Sequence, residues 1–211
     1  MHIFQNPHRR AVFTLLSADP CLDLGSLAQG TGLSKNTVRW HLDVLVKAGW
    51  AVRLSKGARH VYYPEGQING ERAALFVTIN SPKLGGLFKL IATEPGLFQS
   101  QIASKLGRSR QWVSGAIKAL EGSGLVTGMT EGQHIRYYPT RLLSDLADAF
   151  YKESKAFGDY MMRRLEKEGG AQPAVVKRSL ERMIVETGYH KERFHMEIVV
   201  NPYLTCLGCV I

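Results

Sequence analysis

The stretch Leu33-Ser34-Lys35-Asn36-Thr37-Val38-Arg39-Trp40-His41-Leu42, closed by Lys47-Ala48-Gly49, reads as a capped amphipathic helix. The Ser34 hydroxyl can accept from first-turn N–H groups that have no partner within the helix. Gly49 is the residue type that stops a helix. At about 100° per residue, Leu42 and Leu45 fall within ~40° of Val38 and define the inward stripe. Asn36, Trp40, Asp43 and Lys47 project roughly opposite, with Thr37 and Arg39 on the flanks. Upstream, Pro7 can open a helix because its missing N–H needs no partner in the first turn, and Asp19-Pro20 ends that helix. Residues 24–29 form a short second helix before the turn Gly30-Thr31-Gly32. Downstream, residues 50–54 and 60–63 alternate as strands, joined at Lys56-Gly57 into a hairpin.

The pattern occurs twice. At an offset of 75 residues, positions 6–64 align without a gap on 81–139, with fifteen identities, including Pro7/Pro82, Phe13/Phe88, Ser34/Ser109, Val38/Val113, Gly49/Gly124 and Tyr62-Tyr63-Pro64/Tyr137-Tyr138-Pro139. Leu42/Ile117 and Asp19/Glu94 keep their chemistry. A period of 75 exceeds the roughly 20–50 residues of solenoid repeats, so this is a duplicated small domain.

Helices, a glycine turn and a hairpin in this order make a helix-turn-helix with a wing. Residues 33–42 with Leu45 and Ala48-Gly49-Trp50 resemble the third-helix pattern of ArsR- and MarR-like winged-helix regulators. Ser109-Arg110-Gln111-Trp112-Val113 through Gly124-Leu125-Val126 resembles it again. The chain as a whole resembles a tandem winged-helix transcriptional regulator of a kind common in archaea. The resemblance covers residues 6–139 and departs from single-domain members by its two copies. The expected fold is mainly α with small β-hairpin wings: a winged helix over 1–66, a second over 76–140, and a C-terminal helical or α+β region.

The 211 residues are 45% apolar and 21% charged, an ordinary globular balance, and carry a net charge of +9. Residues 1–64 hold eight Lys/Arg against three Asp/Glu, and 65–140 hold eight against five. Residues 141–211 hold eleven against ten, so the surplus lies in the repeated part. A concentrated basic excess favours a polyanion. The resemblance implies that the outward face of each third helix enters the major groove of double-stranded DNA, where Arg and Asn can pair with base edges. The expected DNA-binding residues in the first copy are Ser34, Lys35, Asn36, Thr37, Arg39 and Trp40, with Arg53, Lys56 and Arg59 of the wing. In the second they are Ser109, Arg110, Gln111, Ser114 and Lys118, with Arg136 of the wing. Trp40 either meets a thymine methyl, a sugar or another protein surface, or folds back over the first helix. Gly115 stands where the first copy has Trp40, and the second wing carries Glu131, which would repel a phosphate. The two copies therefore cannot read one sequence, and the first is the expected main DNA-binding unit.

Beyond residue 140, Leu142, Leu143, Leu146, Phe150, Phe157, Met161 and Leu165 mark a helix of about 25 residues. Over 141–169 it serves either to dimerise the protein or to pack on its own chain, and a homodimer is expected. Gly169-Gly170 reads as a hinge, and Val176, Leu180, Met183 and Ile184 as a second amphipathic helix, before a strand at 196–200. The segment 172–211 is a possible sensor; its helix, Gly-Tyr, strand and Cys order is similar to the start of the sensory domain in some ArsR-like iron–sulfur regulators. His190, His195, Cys206 and Cys209 could supply four zinc ligands, or Cys206 and Cys209 a redox pair. The expectation remains no cofactor, with buried cysteines and an unknown effector. Three cysteines form no disulfide framework, which points to a reducing cytoplasmic setting. No apolar run approaches the ~18 residues of a membrane span. Without a phosphate-binding glycine loop, G-x-S-x-G or H-E-x-x-H, enzymatic activity is not expected. The alternative to a regulator is a tandem winged-helix interaction module for chromatin or replication, with non-specific DNA binding.

Overall fold

The computed structural model describes residues 3–56, 59–168, 171–189 and 192–208. A 3-10 turn at Ile3–Gln5 leads into α1 (Pro7–Ala18), whose first turn is capped by Asn6 accepting from Arg9 N. Then come β1 (Leu22–Asp23), α2 (Leu24–Thr31), α3 (Lys35–Lys47), β2 (Ala51–Lys56) and β3 (Arg59–Pro64). After α4 (Gly70–Ile79), the order returns as α5 (Gly85–Thr93), β4 (Leu97–Phe98), α6 (Gln99–Leu106), α7 (Arg110–Gly122), β5 (Val126–Glu131) and β6 (His134–Pro139).

Strand pairing recurs in the same register. Leu22 faces Tyr62 as Leu97 faces Tyr137, and Ala51 faces Pro64 as Val126 faces Pro139. In each three-stranded antiparallel sheet the third strand is central. Local chemistry explains the repetition. Ser34 Oγ accepts from Thr37 N, and Ser109 Oγ from Trp112 N. Gly32 and Gly107, at φ +69° and +60°, close α2 and α6 in the left-handed region, where a Cβ would be strained. Val38, Leu42 and Leu45 on α3 are buried, as are Val113, Ile117 and Leu120 on α7.

The C-terminal part departs from expectation. The stretch expected as one helix over 141–169 is interrupted at Phe150, giving α8 (Leu142–Ala149) and α9 (Tyr151–Lys167). Residues 176–184, expected as a helix, instead lie in β7 (Ala171–Arg178), the following turn and β8 (Arg182–Tyr189). With β9 (Glu192–Val199) they form an antiparallel sheet in the order β7-β8-β9, before α10 (Pro202–Gly208). Met183, Val185 and Thr187 are buried while Ile184 and Glu186 are partly exposed, so the true period is two. Val176 and Leu180, taken as part of a buried stripe, stand in solvent.

This sheet packs on the first repeat. Thr14 Oγ1 donates to Glu197 O, and Val199 N to Ser17 Oγ, at 2.8 and 3.0 Å. Buried Gln67 ties the junction by donating to Ser17 O and Val199 O. One core joins Phe4, Phe13, Leu42 and Trp50 to Phe157, Met161, Leu165, Val185 and Ile198. A second joins the second repeat to Phe76, Phe150 and Tyr203. The apolar face of α9, one candidate for a dimer interface, is thus buried within its own chain. Its three large side chains each contribute about 1.5–3 kcal/mol on burial.

Candidate nucleic-acid interface

The start of α3, the start of α2 and the wing converge on a cleft of about 480 Å³ lined by Asp23, Leu24, Gly25, Lys35, Arg39, Arg59, His60 and Tyr62. The corresponding cleft of the second repeat, about 410 Å³, is lined by Phe98, Gln99, Ser100, Arg110, Gln133, His134, Ile135 and Tyr137. The two surfaces occupy the same place in each copy but differ in chemistry. The first gathers three permanent cations and one carboxylate, the second one cation and none. Phe98 stacks on His134 there, with ring centroids 4.9 Å apart.

Lys35, Asn36, Arg39, Trp40 and Asp43 are exposed along the outward side of α3, and Thr37 is half-buried. Ser34 caps the helix, its hydroxyl 2.8 Å from that of Thr37. Trp40 points outward from α3 and also meets a side chain of α1. It is 56% exposed, yet the Arg9 guanidinium of α1 lies 5.2 Å from its ring centroid. Arg9 is held by donating to Ile3 O at 2.7 Å, so the indole is propped outward from the first helix. Beside it His41 is buried, and its Nδ1 has no hydrogen-bond partner among the described residues. Burial first, then the charges of Arg9 and His8, push the His41 imidazole pKa down.

The wing of the first copy places Arg53 in solvent. Lys56 ends β2, but its side chain lies outside the described residues. Arg59 is ion-paired with Asp23, the residue that caps α2 by accepting from Ser26 N at 2.8 Å. Burial pushes the Asp23 carboxyl up, but the Ser26 donors and Arg59 outweigh it and hold the group below the usual carboxylate range. Arg59 therefore tethers the wing to α2 as well as lining the cleft. This pairing is non-local, and no sequence signal marks it. His60 lines the same cleft with Nδ1 3.0 Å from Ser55 Oγ, and no local pattern in the sequence marks it either.

In the second copy, Arg110, Gln111 and Lys118 are exposed and Ser114 is half-buried, while Ser109 caps α7. Arg136, expected to face DNA, is turned to its own chain. Its Nη1 donates to Gly96 O at 2.7 Å, its Nε lies 2.9 Å from Glu131 Oε2, and its guanidinium covers Phe98. Glu131 is satisfied by this pair and by the Tyr138 hydroxyl.

The proposed metal set is not assembled in the described residues. His190 and Cys209 lie outside them, His195 is exposed on β9, and Cys206 is buried on α10. The Gly169-Gly170 hinge also lies outside them. No group of three or more His, Cys, Asp or Glu among the described residues could hold a metal ion. No described helix is long and apolar enough to cross a membrane.

Residues 4–49 match the helix-turn-helix domain family, a span that runs from the opening turn to the end of α3. An uncharacterized HTH-type transcriptional regulator of Methanocaldococcus jannaschii is 26% identical over 136 residues, which cover 64% of this chain and 34% of the relative. The chain thus spans about a third of that relative's length. Among solved structures, ScpB of Mycobacterium tuberculosis aligns with 66% of this chain and 94% of its own at 16% identity and TM-score 0.28. Human N-acetylserotonin methyltransferase in complex with SAM aligns with 70% and 41% at 15% identity and TM-score 0.26.

Proposed function

We propose that the chain is a sequence-specific, double-stranded DNA-binding transcription regulator, without enzymatic activity, built on two ArsR/MarR-like winged-helix units in tandem. The observation that carries this reading is the first cleft, where Lys35 and Arg39 of α3 converge with Arg59 and His60 of the wing. Asn36 and Arg39 stand exposed on the same helix and have the donor geometry for base edges. Lys35, Arg53 and the wing supply phosphate contacts, which position the helix without specifying sequence. The helix-turn-helix match and the similarity to a protein named as a transcriptional regulator support the same function.

The second unit contributes less charge. Its cleft holds one permanent cation against three in the first, and Met129 and Ile135 are exposed on its hairpin. This favours a second reading for that unit, as a surface for protein contacts beside the DNA-reading first copy. Selection of bound sequences from a random duplex pool, followed by footprinting, tests both. A single enriched motif protected mainly by the first copy is expected, and it should vanish in an Asn36→Ala/Arg39→Ala variant that keeps its fold. Binding without enrichment would instead establish a non-specific DNA-binding module.

A further inference from the structure

A cleft of about 460 Å³ lies far along the chain from the helix-turn-helix, between the start of α9 and the β7–β8 turn. Tyr151, Ser154, Lys155, Arg178, Ser179, Leu180 and Val200 line it, two cations and no carboxylate. We propose that this cleft binds a small amphipathic carboxylate, an anionic head on an apolar body of metabolite size.

Three features carry the assignment. The first is a preplaced cation. Arg178 donates to Lys155 O and to Asp159, each at 3.2 Å, and its guanidinium lies against α9 at Gly158. A Cβ at that glycine would come within 2.7 Å of Arg178 Nη2, so a larger residue there would displace the guanidinium from this position. A guanidinium has five N–H donors, so donors remain for an incoming carboxylate beyond those engaged by Lys155 O and Asp159. Holding the fork in place beforehand removes much of the ordering cost of binding.

The second feature is Lys155, which lines the same cleft, is exposed, and is not neutralised by any lining carboxylate. Asp159 is on the Arg178 side and is already paired with it. Glu153 is committed to Arg72 through a two-point ion pair with α4. The third feature is exposed apolar surface. Tyr151 and Leu180 are 54% and 61% exposed at the cleft, with Val200 beneath them. Large apolar side chains held in water beside two cations are what a ligand with a hydrocarbon body would cover. The volume suits a small molecule and falls in the usual range of such sites.

The site does not depend on the DNA-binding reading, and its test uses no DNA. Octanoate serves as the probe, with octanol and inorganic phosphate as controls at matched ionic strength, and binding to the full chain is followed by calorimetry and by thermal unfolding. Octanoate should bind saturably and raise the unfolding midpoint, whereas octanol, lacking the charge, and phosphate, lacking the apolar body, should not. Arg178→Gln should weaken octanoate by about tenfold or more, the loss expected for a charge-assisted bond. Should that variant fail to fold, Leu180→Asp decides the matter. It lies on an exposed turn, is expected to fold, and brings a like charge to the mouth that should abolish octanoate binding. No saturable octanoate binding, equal binding of octanol or phosphate, or unchanged affinity in Leu180→Asp would overturn the proposal.

Discussion

Replacing Arg164 by methionine removes the link between α9 and the end of α3 while keeping the aliphatic stem. Arg164 Nη1 and Nη2 donate to Gly49 O and Ala48 O at 2.7 and 2.8 Å, and Nη1 also donates to Tyr160 Oη at 3.0 Å. The guanidinium covers Trp50 at 4.6 Å, and the Trp50 indole N–H donates to Glu168 Oε1. A cation at a helix C-terminus also complements the helix dipole. Hydrogen bonds from a charged donor contribute about 1.5–3 kcal/mol each. A cation over an indole adds about 0.5–1 kcal/mol at a partly exposed site. Both carbonyls are half-buried and can recruit water in the variant, so the lower end of the range applies to each, and with the indole contact a loss of about 3–4 kcal/mol is expected. Urea unfolding of the full chain reads this as a lower midpoint at constant m-value. Arg164→Lys, which retains charge but not the fork, should fall between. Arg164 is at the opposite end of α3 from Lys35 and Arg39, so its loss should weaken DNA binding without changing the salt slope. Lys35→Gln, by contrast, removes a cation assigned to a phosphate and should lower the slope by about 0.9. A stability change below about 0.5 kcal/mol, the level of ordinary surface substitutions, would refute the capping argument.

Other perturbations separate the remaining assignments. Arg136→Ala should leave the salt slope for duplex DNA unchanged while lowering stability; a slope reduced as much as in Lys35→Gln would place Arg136 on DNA. The His41 imidazole has a folded pKa below its ordinary value, so the unfolded chain binds the proton more readily. Stability should therefore be complete above the ordinary imidazole range and fall as pH drops below about 6.5 toward the folded pKa. His41→Leu should remove that part of the slope between about pH 5 and 7 in urea titrations, and an unaltered slope would sink the assignment. Phe157→Ala should cost about 3–5 kcal/mol, with an unfolding midpoint independent of protein concentration in both forms. A concentration-dependent midpoint would show that α9 is stabilised by association instead of by its own chain.

The repeated half was legible because its signals are local. Ser34 and Ser109 cap helices through their own first turns, Gly32 and Gly107 supply left-handed caps, and the stripe of Val38, Leu42 and Leu45 needs only helical spacing. The third helix and most of its outward residues could be named from such spacing alone. Residues 176–184 were misread because Val176, Leu180, Met183 and Ile184 happen to follow helical spacing, while burial alternates along Met183, Val185 and Thr187. A short apolar run is compatible with either element until a partner strand is known. β9 supplies that partner through eight paired positions, and α1 covers it.

Residues 6–64 and 81–139 share one order of caps, turns and apolar spacing, and the charge surplus lies in this repeated part; that much is legible from the chain alone. Caps, turns and periodicity act over a few residues and are written where they act. Tertiary structure alone decided which cations remain available. Arg59 and Arg136 both read as DNA-facing wing cations, yet Asp23 holds one at the lip of a basic cleft and Glu131 with Gly96 draws the other inward. It also turned the apolar face of α9 onto the first repeat, leaving Tyr151 and Leu180 exposed beside Arg178. Ion pairs and packing across dozens of residues depend on where the chain returns to itself, and that is set by the sum of all contacts, not by any local pattern.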